Sequence, residues 1–138
     1  MSKAFCHLHN HSEYSLLDGA NRIKGMVKRA AELEMPAIAL TDHGVMFGAM
    51  GFYWAAKEAG IRPIIGMEAY APDGIASRKR QETFHLLLLA KDLEGYRNLC
   101  QLATISALEG FYGKPRIDHD ILRRHARGLI SSTTCLGS

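Results

Sequence analysis

A helix that stops at a proline and passes straight into an unalternating apolar strand narrows the architectures open to this chain more than any other stretch. From Arg22 to Met35 the apolar residues Ile23, Met26, Val27, Ala30, Ala31 and Leu33 recur at helical spacing, and Pro36 ends the run. Ala37-Ile38-Ala39-Leu40-Thr41 follows with no apolar–polar alternation, as suits a parallel strand buried on both faces. Asp42-His43-Gly44 sits directly after the end of that strand.

The same handover repeats along the chain. Ala4 to Leu8 reads as a first strand and Ser12 to Asn21 as a loop. A helix runs from about Phe47 to Ala59 and is stopped by Gly60; Pro63 to Glu68 is the next short apolar strand. After a polar linker from Pro72 to Glu82, Phe84 to Ala90 reads as a strand and Leu93 to Leu108 as a helix. A glycine-rich turn spans Gly110 to Pro115, Asp118 can cap a short helix reaching His125, and Gly128 to Ser132 is a fifth strand. Alternating strands and helices imply βαβ units with parallel strands, hence a doubly wound sheet or a (β/α) barrel.

Composition sets the outer bounds. A chain of 138 residues, 47% hydrophobic and 22% charged, is one domain or part of one with enough apolar surface for a core. The net charge of +3 is too small to announce a nucleic-acid binder by electrostatics alone. Three widely spaced cysteines without a secretory leader suggest a reducing, cytoplasmic setting, and no apolar run is long enough to span a membrane.

The chemistry-bearing residues gather at one edge of such a sheet. In His7-Leu8-His9-Asn10-His11 a period of two puts three imidazoles on one strand face, and alternating imidazoles can reach a single metal from the same side. His9 and His11, Asp42 and His43, Glu68, and Cys135 each fall at or just past the C-terminal end of a predicted strand, which is the functional edge of parallel α/β folds. His85 departs from that rule because it opens its strand. Spacing alone would not select it. Collecting the candidates gives His9, His11, Asp18, His43, Glu68, His85 and Cys135, more than one structural zinc needs, and the pattern suggests two or three divalent metals. Glu68 is the natural bridging carboxylate, and Asp42 either orients an imidazole or caps the following turn.

Each position also has a plainer reading. A lone His-x-His can be a surface turn, Asp18-Gly19 a common turn pair, and Cys135 a small buried hydrophobe. His7 reads more readily as a hydrogen-bonding residue of the barrel floor than as a ligand. His119 and His125 read as solvated helix positions, and Arg78-Lys79-Arg80 as a solvated loop that would also suit a phosphate backbone.

Beyond these separate features, His7-Leu8-His9-Asn10-His11-Ser12 followed by Tyr14-Ser15-Leu16-Leu17-Asp18-Gly19 resembles the opening of the PHP (polymerase and histidinol phosphatase) domain of bacterial DNA polymerase III alpha subunits. Thr41-Asp42-His43-Gly44, Gly60 to Tyr70, His85-Leu86, Gly95 to Leu99, Gly110-Phe111-Tyr112 and Cys135-Leu136-Gly137 continue the resemblance over essentially the whole chain. It implies a distorted (β/α) barrel of seven strands, of which this chain would cover roughly the first five as an N-terminal fragment spanning 1–138. It also implies that all seven candidates bind metal, with His9, His11, His43 and Glu68 at the reacting centre and an Asp-x-His pair following downstream.

Three functions are then expected to compete. The first is a metal-dependent phosphoesterase, a 3′–5′ proofreading exonuclease, within a DNA-directed DNA polymerase. The second is a structural metal module supporting the polymerase or a separate exonuclease subunit, and the third a free-standing phosphatase such as histidinol phosphatase. Zinc is favoured by histidine with one thiol, and manganese is the alternative. The implied partners are the rest of a polymerase chain, DNA, the sliding clamp and the proofreading exonuclease subunit, in a bacterial cytoplasm and with no membrane. An unfinished barrel would leave strand edges uncovered, so self-association is expected of the isolated piece.

Overall fold

The computed structural model describes residues 5–72 and 83–134. Its elements are α1 (Ile23–Glu32), β1 (Ala37–Leu40), α2 (Ala49–Glu58), β2 (Arg62–Ala71), β3 (Phe84–Ala90), α3 (Leu93–Leu108), α4 (His119–Arg124) and β4 (Leu129–Thr133). The strands form one open sheet in the order β1-β2-β3-β4.

Local chemistry sets the ends of these elements. The N–H groups of Glu34 and Met35 reach back to the carbonyls of Ala31 and Ala30, closing α1 before Pro36 with Glu34 in the left-handed region at φ 54°. Gly60, at φ 73°, ends the turn after α2 without a Cβ penalty. Asp92 and Asp118 accept hydrogen bonds from the N–H groups of Gly95 and Ile121, capping α3 and α4 as the sequence suggested for Asp118.

Two expectations are corrected. β1 and β2 are parallel, joined through α2, but β3 is antiparallel to β2 and β4 antiparallel to β3, so the sheet is mixed. β3 starts beside the end of β2 instead of its start, with Phe84 paired to Ala71. After β3, the path through α3 and α4 brings Gly128 back to accept from the Lys91 N–H at 2.9 Å, so β4 begins where β3 ends. The second correction concerns the first strand. Among the described residues there are four strands, and the part of Ala4 to Leu8 that is described lies outside them.

That N-terminal segment nevertheless runs along β1, with the Ala39 N–H donating to the His7 carbonyl and the Thr41 N–H to the Asn10 carbonyl, both at 2.9 Å. Three residue steps on one side, His7 to Asn10, face two on the other, Ala39 to Thr41, so a regular ladder cannot form. Side chains fill the mismatch: Asn10 N–H donates to Thr41 Oγ1 at 2.9 Å, and Asn10 Nδ2 donates to the Ala39 carbonyl at 3.0 Å.

Residue parity shows how the layers stack. Ile38, Leu40 and Ile65 pack against Ile23 and Val27 of α1 and Phe52 and Ala56 of α2. Met67, Ala69 and Leu88 pack against Leu99 and Leu102 of α3 with Ile117 and Ile121. Ile65, Met67 and Ala69 share one face of β2, so α1, α2 and α3 all cover that face. The opposite face carries Ala39, Ile64, Leu87 and Leu89 as a smaller apolar cluster. Helices gathered on one face favour a partial distorted barrel over a doubly wound sheet, with the second face as the barrel interior. No helix among the described residues is long and apolar enough to cross a membrane.

Candidate metal centre

The interior face is where the predicted ligands meet. Beyond Leu40 the chain keeps pairing with β2: the Glu68 N–H donates to the Asp42 carbonyl at 3.1 Å and the Gly44 N–H to the Glu68 carbonyl at 2.8 Å. This sets His43 beside Glu68. On the other side of β2, Tyr70 is paired with His85, the second residue of β3. Because β3 runs antiparallel, its start lies at the same sheet edge as the ends of β1 and β2. That removes the exception His85 made to the sequence rule. β4 runs back towards this edge, so Thr134, just past its end, can donate from Oγ1 to Glu68 Oε1 at 3.4 Å.

Glu68 is the centre of the arrangement. It is 1% exposed, and its Oε2 lies 2.6 Å from His9 Nε2, 3.0 Å from His11 Nε2 and 3.5 Å from His43 Nδ1. Its Oε1 lies 2.6 Å from His85 Nδ1. Burial alone would raise the pKa of this carboxyl group, but hydrogen bonds from His11 and His9 and the charge of His43 outweigh it and bring it down to about 2. The hydrogen bond to Glu68 likewise raises the His11 pKa above the usual histidine range, although burial opposes it. The rings themselves pack closely, His11 stacking on His43 at 4.1 Å and His9 meeting His11 edge-on at 4.8 Å.

Two groups of ligand-type atoms share Glu68: His9, His11 and Glu68, and His43, Glu68 and His85, each within 4.8 Å of one another. Asp18 adds a carboxylate from the loop, its Oδ2 being 2.9 Å from His43 Nε2. The donor set fits divalent metal ions. Imidazole nitrogens and carboxylate oxygens are standard ligands for such ions, and the Nδ1 atoms of His11 and His43 are buried with no hydrogen-bond partner among the described residues. The four imidazoles keep 16 to 29% of their side-chain surface, so the cluster opens to solvent.

Asp42 does not orient an imidazole. It is buried, and its carboxylate accepts from the Ser12 N–H at 2.6 Å, the Ser12 hydroxyl at 2.8 Å and the Ser15 hydroxyl at 3.0 Å. Ser15 Oγ in turn accepts from the His43 N–H at 3.1 Å. Asp42 thus ties the loop that follows His11 and carries Asp18 to the strand end that carries His43.

Six of the seven predicted ligands therefore converge. Cys135 lies outside the described residues, as do Arg78, Lys79 and Arg80. His7 is exposed with its ring edge-on to Phe5 at 4.7 Å, which places it outside both the cluster and an interior floor. His119 is exposed at the start of α4, in line with the solvated reading, whereas His125 lies just past the end of that helix and is half-buried. Sequence reasoning missed Tyr70, whose ring stacks on His43 at 5.8 Å and meets His85 at 5.1 Å. The signal was present, since two residues beyond Glu68 on a strand is the same face.

Known proteins resemble this chain in sequence and in fold. The family model described as the PHP domain matches residues 7–138. DNA polymerase III subunit alpha of Helicobacter pylori J99 is 54% identical over 137 residues, covering 98% of this chain and 11% of that protein. The subunits from Borreliella burgdorferi and Thermus aquaticus are 51% and 52% identical, over 96% and 97% of this chain and 12% of each relative. The chain thus spans about a tenth of the length of these relatives. Among solved structures, an amidohydrolase from Chromobacterium violaceum with bound sulfate and no metal superposes with a TM-score of 0.54 at 29% identity, over 72% of this chain and 33% of that one. A candidate metal-dependent phosphoesterase from Bifidobacterium adolescentis does so with a TM-score of 0.51 at 20% identity, over 74% and 34%.

Proposed function

Since the chain belongs to the PHP domain family, matching its model over residues 7–138, we propose that its interior cluster is a multinuclear metal site that hydrolyses phosphodiesters as part of a DNA polymerase III alpha subunit. The observation that carries this reading is the sharing of one buried carboxylate, Glu68, by two separate sets of imidazoles.

His9 and His11 would hold one metal with Glu68, and His43 and His85 a second; Asp18 and Cys135 complete the proposed ligand set. Zinc suits the histidines and thiol best, with manganese as the alternative. Bound there, divalent ions supply the Lewis acidity that activates water and neutralises phosphate charge in an in-line displacement. The chain's own task is positional. Asp42 fixes the 12–19 loop against His43, and the β2–β3 pairing fixes Glu68 against His85. The imidazoles remain open enough to meet a substrate, and the sulfate of the Chromobacterium protein has the tetrahedral anionic shape of a phosphate group.

By family resemblance the substrate is the 3′ end of DNA, and the wider setting is a cytoplasmic bacterial polymerase with its clamp and exonuclease partners. In the full-length polymerase, His9→Ala with His11→Ala is expected to abolish bound metal at one site and all 3′ end release, with polymerisation largely intact. Metal bound in full with no end release in the unaltered enzyme would instead assign the cluster a structural role.

A further inference from the structure

Lys114 is carried by a turn that packs beside Tyr70, the ring that contacts His43 and His85 of the cluster. The turn closes through the Tyr112 N–H donating to the Lys114 carbonyl at 3.0 Å, with Gly113 at φ 68° between them. Behind it, Arg116 is buried, and its Nε donates to the Gly110 carbonyl at 3.0 Å. The Ile117 N–H donates to the Tyr70 carbonyl at 2.9 Å, which ties the turn to the β2 strand that carries Glu68. Pro115 lies against Gly44, where a Cβ would come within 2.5 Å of the proline ring.

From this frame the Lys114 ammonium sits 4.5 Å from the centre of the Tyr70 ring, and Tyr70 is the ring that stacks on His43 and meets His85. Lys114 is exposed and makes no ion pair among the described residues. An ammonium over an aromatic face turns only part of its three N–H donors to the ring, so those pointing away stay available to an anion.

We propose that Lys114 is a substrate-binding residue that contacts the phosphate of a nucleotide or nucleic-acid end presented to the metal cluster, with Tyr70 as the positioning residue that keeps its ammonium at the mouth. This rests on the phosphoesterase reading for its substrate class but is tested by binding as well as turnover. The full-length metal-loaded polymerase and its Lys114→Met, Lys114→Arg and Tyr70→Leu variants are titrated calorimetrically with thymidine 5′-monophosphate, with metal content measured in each. In parallel, 3′ end release from a single-stranded oligonucleotide is followed across substrate concentration.

Lys114→Met is expected to weaken nucleotide binding and raise KM about tenfold or more, with metal content unchanged and kcat within about threefold. Lys114→Arg keeps the charge and is expected to recover most of the affinity that Lys114→Met loses, whereas Tyr70→Leu removes the ring face and is expected to weaken nucleotide binding in the same direction as Lys114→Met. Unchanged nucleotide affinity in Lys114→Met, or an unaltered protein that binds metal but no nucleotide, overturns the proposal. Nucleotide binding that depends on Lys114 in a protein without end release would leave it standing while refuting the hydrolytic function.

Discussion

A buried carboxylate surrounded by four imidazoles explains why substitutions at Glu68 should be felt by both halves of the cluster. Glu68→Gln keeps the shape but removes the charge that His9, His11, His43 and His85 face. Its metal content is expected to fall by at least one ion per chain, read by elemental analysis, whereas unchanged metal content would contradict a shared ligand. Asp42 makes a different residue-scale prediction because it touches no imidazole. Asp42→Ala strands the Ser12 N–H and two serine hydroxyls in a buried setting, so a loss of about 2–4 kcal/mol in chemical unfolding is expected. Gly44 has both φ 64° and a proline at its back, and Gly44→Ala should cost about 1–2 kcal/mol or more in the same measurement.

At the scale of elements, the sequence marked helices and caps better than strand direction. The α3 bounds and the Asp118 cap were legible because periodicity and cap chemistry are local. The direction of β3 was not, since whether a strand pairs parallel or antiparallel depends on where its connection delivers the chain. The irregular segment at His7 to Asn10 was equally hidden, because its ladder is replaced by side-chain bonds of Asn10 and Thr41. Two substitutions test the helix ends. Asp92→Ala should lower stability by about 1 kcal/mol through loss of the α3 cap. Glu34→Gly should raise it by up to about 1 kcal/mol by relieving a left-handed non-glycine residue after α1. An unchanged unfolding midpoint in either variant would remove the corresponding cap from the account.

Across the whole molecule, the helices on one face and the ligands on the other are two consequences of one alternation along β2, where Met67 and Ala69 face α3 while Glu68 and Tyr70 face the interior. Most of the site was therefore legible: residue types at strand ends named His9, His11, His43 and Glu68. His85 was set apart by a rule that assumed parallel strands, and Tyr70 was passed over because a tyrosine announces no metal chemistry. The central claim is that Glu68 joins two metal positions, and metal stoichiometry tests it most directly. In the full-length protein, metals per chain are counted in the unaltered form and in His9→Ala, His85→Ala and Glu68→Ala. The account predicts at least two ions in the unaltered protein, the loss of about one in each histidine variant and the loss of both in Glu68→Ala. Unchanged stoichiometry in Glu68→Ala would contradict it.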